Sequence, residues 1–129
     1  MKGFDLATLD RNDTATVPFL HPTTGEETGV TITVYGEDSE TGKAATRHMI
    51  DKIGEYSRKN RGKAMPTEEV ERLDRAKMAK VTKSIDGLTY GGKVLTDVAE
   101  IFNLSPDIYE QAAAAYRDRA LFIKASSAK

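Results

Sequence analysis

The residues nearest to a catalytic motif are Gly87-Leu88-Thr89-Tyr90-Gly91-Gly92-Lys93-Val94. A phosphate-cradling loop needs this glycine and lysine spacing, then Ser or Thr to hold magnesium, between a buried strand and a helix. Val94 stands at the magnesium position, and Lys80-Val81-Thr82-Lys83-Ser84 reads as the end of a helix, so the segment is expected to be a plain turn. The two histidines, His21 beside Pro22 and His48 beside an apolar helical stripe, have no Ser or Cys nucleophile in a recognisable context. With no cysteine and two histidines, thiolate chemistry, iron–sulfur clusters, sulfur-ligated zinc and multi-histidine metal sites are excluded. Glu26, Glu27, Asp38 and Glu40 fall in loops without a metal-binding frame. The expectation is a protein that is not an enzyme and uses no cofactor or metal.

Two other features suggest binding rather than catalysis. Residues 43–63 carry seven basic side chains (Lys43, Arg47, Lys52, Arg58, Lys59, Arg61, Lys63) against Asp51 and Glu55. Such a strip could contact phosphates or an acidic protein, although basic residues also suit the carbonyl end of a helix. Arg119 falls near the centre of an apolar face formed with Tyr109, Tyr116, Phe122 and Ile123. A buried guanidinium needs an acid, water or an interface, so these five residues, with the exposed edge of the N-terminal hairpin, form the candidate protein-binding surface.

The elements that would position them follow from periodicity. Val30, Ile32 and Val34 alternate with Thr31 and Thr33, and Thr14–Leu20 precedes them across a Pro22-Thr23-Thr24-Gly25 loop, which predicts a β-hairpin over 14–35. Pro18 lacks a ladder N–H and predicts an edge or a bulge. A helix is predicted over 39–60, capped by Asp38 or Ser39, with Ala45, Met49, Ile50, Ile53 and Tyr56 on one side. A second, capped by Thr67, is predicted over 67–86 on Val70, Leu73, Met78, Val81 and Ile85, with Asp74 and Lys77 making that face half-buried. Short and long helices at 97–103 and 106–124 open at Asp97 and at Ser105-Pro106. The tail 125–129 is expected to fray. The fold class is α+β, mostly helical, a hairpin packed against about four helices in a single domain spanning 1–129.

Composition agrees with this picture. The 129 residues are 39% hydrophobic and 30% charged with a net charge of −1, as in an ordinary globular chain with no global pull toward nucleic acid or an anionic membrane. No apolar run approaches the ~18–20 residues of a membrane span. The start, MKGFDLATLD, has no apolar stretch of signal-peptide length, so nothing in it suggests secretion.

The order of segments adds a resemblance. Pro18-Phe19-Leu20-His21-Pro22-Thr23-Thr24-Gly25 with Val30-Thr31-Ile32-Thr33-Val34, then Gly36-Glu37-Asp38-Ser39-Glu40, Gly92-Lys93, Ser105-Pro106, Glu110-Gln111 and Asp118-Arg119-Ala120-Leu121-Phe122, resembles the tail assembly chaperones of long-tailed, siphovirus-like bacteriophages. The resemblance covers nearly the whole chain. It implies a non-enzymatic chaperone that binds the tape measure protein, helps recruit tail tube subunits, acts in the host cytoplasm and is absent from the finished virion. Self-association and a longer frameshifted form with an added C-terminal domain are further partners it leaves open. The alternatives are a structural head–tail connector or tail terminator, and a small nucleic-acid-binding regulator using residues 43–63.

Overall fold

The computed structural model describes residues 3–124. The fold is α+β, 51% helical and 22% strand. Its sheet grows from the alternation in β1 (Thr14–Leu20) and β2 (Glu27–Tyr35), which pair antiparallel with Val17 opposite Ile32 and Ala15 opposite Val34. Ile32 and Val34 are fully buried on one face. On the other, the Thr16 and Thr33 hydroxyls meet at 2.8 Å. The register slips between Pro18 and Leu20, the irregularity that a proline in a strand imposes.

The predicted hairpin is in fact a three-stranded sheet, ordered β1-β2-β3, and this corrects the second helix. That helix, α2 (Thr67–Val81), stops at Val81 instead of running to residue 86. Residues Thr82–Asp86 form β3, antiparallel to β2 with Ile85 opposite Ile32. The Thr82 hydroxyl donates to the Met78 carbonyl at 2.7 Å, ending the helix as the backbone turns extended. Thr67 is also not the cap: Pro66 holds that position and makes no side-chain cap bond. The glycine turn after β3 closes a small hairpin, β4 (Thr89–Tyr90) and β5 (Lys93–Val94), with Gly91 and Gly92 at positive φ. A strand therefore does precede the phosphate-loop look-alike, but a strand rather than a helix follows its lysine, so the turn reading stands.

The other helices begin where their caps predict. In α1 (Glu40–Lys59) Ser39 accepts from the Gly42 N–H at 3.0 Å. In α3 (Val98–Leu104) Asp97 accepts from the N–H groups of Ala99 and Glu100. In α4 (Pro106–Arg117) Ser105 accepts from Ile108 with Pro106 in the first turn. The last helix ends at Arg117, not at residue 124. Asp118 breaks it and caps a separate 3-10 turn, Arg119–Phe122. One hydrophobic core joins the sheet (Ile32, Val34, Ile85) to Met78 and Val81 of α2, Ile101 of α3, Ile108 and Tyr116 of α4, and Phe122. Residues 125–129 lie outside the described part.

Candidate protein-binding surface

The five residues singled out from the sequence do not share one face. Tyr116 and Phe122 are each only 2% exposed and belong to the core. The Phe122 ring lies flat against Gly36, where an added Cβ would sit 3.1 Å from its carbons. Ile123 is half-buried and bridges to Arg11 beside β1. Arg119 has left the helix and is exposed. Its Nε reaches Asp38 Oδ2 at 2.8 Å and Glu37 Oε1 at 3.4 Å, so the guanidinium finds its acids within the chain. The apolar face of the last segment therefore serves the fold, because the chain bends at Asp118 and folds Phe122 back under the β2–α1 turn.

Tyr109 is half-buried between α4 and α2. Its hydroxyl donates to the Asp74 carboxylate, and its ring stands edge-on to Phe102 with centroids 5.5 Å apart. Burial, then the hydrogen bond to Asp74 and that carboxylate's charge, pushes its pKa up to about 12. Asp74 also pairs with Lys77 at 3.8 Å, and the Lys77 ammonium lies 5.2 Å from the centre of the Tyr116 ring. The Tyr116 hydroxyl meets Thr46 of α1 at 3.3 Å. The two charged residues that interrupt the apolar stripe of α2 thus hold α2 to α4, where sequence spacing placed them half-buried.

Beyond this latch, α1 and α2 continue as a helical pair with little else covering it. None of residues 46–77 is buried. Met49, Ile53, Tyr56, Met65, Val70 and Leu73 are half-covered, and Ile50 is 61% exposed. The connection turns through Arg61 and Gly62, both at positive φ, and presents Arg58, Lys59, Arg61 and Lys63 to solvent. Of the seven cations in residues 43–63, only Lys52 is ion-paired among the described residues, to Glu55 at 3.8 Å. The histidines are apart: His48 is exposed on α1, while His21 Nδ1 accepts from the Thr23 and Thr24 N–H groups and shapes the loop between β1 and β2.

The flank of α2 also borders three adjoining hollows that sequence periodicity did not reveal. One of about 400 Å³ lies among Met49, Val70, Glu71, Asp74, Arg75 and Tyr109. A second of about 260 Å³ is walled by Phe102, Asn103, Pro106 and Tyr109, and a third of about 290 Å³ by Ala76, Ala79, Ala99 and Phe102. Arg75 borders all three. From sequence it counts as one more polar position on α2, because the groove exists only once α3 and α4 are packed alongside. No family model, curated protein sequence or solved structure matches the chain. Among the described residues, no helix is long and apolar enough to cross a membrane.

Proposed function

We propose that this chain is a non-enzymatic tail assembly chaperone of a long-tailed bacteriophage, binding the tape measure protein and helping to recruit tail tube subunits in the host cytoplasm. The order of its sequence motifs supports the reading, and one structural observation carries it. The α1–α2 pair keeps an apolar stripe, Met49, Ile50, Ile53, Tyr56, Val70 and Leu73, without a single buried residue over 46–77. An amphipathic helix of a long client would complete such a stripe by helix-in-groove packing. Each contact would be modest, and many chaperone copies along one client would supply avidity while allowing release. The binding face thereby moves from the last helix, where sequence reading put it, to the α1–α2 arm.

Affinity purification of the tagged protein from phage-producing cells, with mass spectrometry of what accompanies it, tests this. Recovery of a very long helical protein together with the tube subunit, and absence of the bait from purified virions, is the expected result. Bait inside virions alongside portal or head-completion proteins would replace the chaperone with a connector or tail terminator. The four exposed cations at the arm tip favour nucleic acid as a second reading. That reading requires affinity for DNA or RNA that falls steeply with salt, by about 0.7–0.9 log units per log unit of salt for each phosphate neutralised.

A further inference from the structure

We propose that the groove around Arg75 receives a partner helix bearing a carboxylate within its apolar face. The inference rests on the chaperone reading and names the chemistry of the helix that such a role requires. Arg75 is half-buried where three hollows meet, and among the described residues it forms no ion pair or side-chain hydrogen bond. Arg72 holds Glu69 at 2.6 Å, and Asp74 holds Tyr109 and Lys77; Glu71, one turn before Arg75 on α2, borders only the hollow at Met49. Any occupant that covers Arg75 completes its desolvation. On the Ala76 side, where no acid lines the groove, a purely apolar segment or one bringing a lysine would cover the cation without compensation, at a cost a carboxylate avoids.

The walls specify the rest of the occupant. Tyr109, Phe102 and Pro106 offer ring surfaces on one side, with Val70 and Met49 at one end and Ala76 and Ala79 at the other. From Val70 to Ala79 the groove follows α2 for about 14 Å, the length of two to three helical turns. Glu71 and Asp74 lie at the Met49 end, whereas the hollow at Ala76 is bordered by Arg72 and Arg75 with no acid. The partner's carboxylate therefore belongs toward the Ala76 end and its neutral apolar side chains toward Val70. The basic arm tip is a different kind of surface, its Arg58, Arg61 and Lys63 lying outside these three hollows.

The test uses the full chain and three amphipathic helical peptides of about 18 residues, long enough to form helix on binding. They are built from Leu, Ala and Gln and differ only at one position amid the leucines, which is Glu, Gln or Lys. Binding is followed by fluorescence anisotropy, and the site by amide chemical shifts. The Glu peptide is expected to bind about tenfold tighter than the Gln peptide, the scale of one hydrogen bond to a charged group. Arg75→Gln should equalise the two, Arg75→Glu should favour the Lys peptide, and shifts should centre on Ala76, Ala99 and Asn103. Equal binding of Glu and Gln peptides by the unaltered protein would overturn the proposal, as would no binding or shifts confined to the arm tip. The peptide comparison needs no variant, so it decides even if a substitution unfolds the chain. If Arg75→Glu still binds the tape measure protein with unchanged affinity, the groove fails while the chaperone reading survives. If the unaltered protein does not bind it, that reading fails.

Discussion

Tyr109 holds its hydroxyl proton over a range where an unfolded tyrosine has released it. The unfolded group ionises near pH 10 and the folded one at about 12. Its contribution to stability is therefore complete below about pH 10 and is lost as pH rises toward about 12. Tyr109→Phe removes the hydrogen bond to Asp74 and is expected to cost about 1–2 kcal/mol at neutral pH. It should also flatten the alkaline loss of stability across that interval. Urea unfolding at neutral pH and near pH 11 measures both, and an unchanged alkaline slope would show that Tyr109 does not carry it. A second residue-scale contrast separates packing from surface charge. Phe122→Ala empties a core position beside Gly36 and is expected to cost about 3 kcal/mol or more. Arg119→Ala removes an exposed ion pair and should leave the melting temperature nearly unchanged. If Phe122→Ala melts like the parent, the placement of that ring in the core is wrong.

Among the elements, the first turn of α1 is fixed by a backbone approach that only glycine permits. A Cβ on Gly42 would meet the Gly36 carbonyl oxygen and come within 2.9 Å of Glu37 Cα, and backbone cannot swing aside as a side chain can. Gly42→Ala, ordinarily favourable in a helix, is therefore expected to destabilise by about 2 kcal/mol or more. Thermal unfolding of Gly42→Ala beside Gly54→Ala checks this, since Gly54 has only the end of the flexible Arg58 side chain nearby and should not be destabilised. The same scale shows what the sequence could and could not reveal. The β1–β2 pair was legible because Val30, Ile32 and Val34 alternate against threonines, and the starts of α1, α3 and α4 were legible from Ser39, Asp97 and Ser105-Pro106. The end of α2 was not. Met78, Val81 and Ile85 keep helical spacing through the boundary, and a five-residue strand with one buried hydrophobic residue shows too little alternation to compete. What makes Thr82–Asp86 a strand is pairing with β2, a contact remote in sequence. Arg119 was misplaced for a related reason: its spacing fits the face of α4, but the chain leaves the helix at Asp118. The Arg75 groove had no sequence signal at all, being made by α3 and α4 lying against α2.

At the scale of the whole molecule, burial is divided unevenly. The sheet, α3, α4, the turn carrying Phe122 and the ends of α1 and α2 nearest the sheet hold the buried side chains, whereas residues 46–77 hold none. Local opening is cheapest where few apolar contacts are lost, so the α1–α2 arm should open without the sheet. Hydrogen–deuterium exchange is expected to show amides of residues 49–73 exchanging at least tenfold faster than the protected amides of β2 and α4. The latch of Tyr109, Asp74 and Lys77 marks the boundary between the two regimes. Tyr109→Phe should extend fast exchange along α2 toward Met78, while β2 stays protected. A client helix lying on Met49, Ile53, Val70 and Leu73 would replace the missing apolar contacts and slow the arm toward the rate of the body. Uniform exchange across the free chain would mean that the arm is held by the core after all. Its half-covered stripe would then be a fixed surface rather than one that becomes ordered as a partner docks.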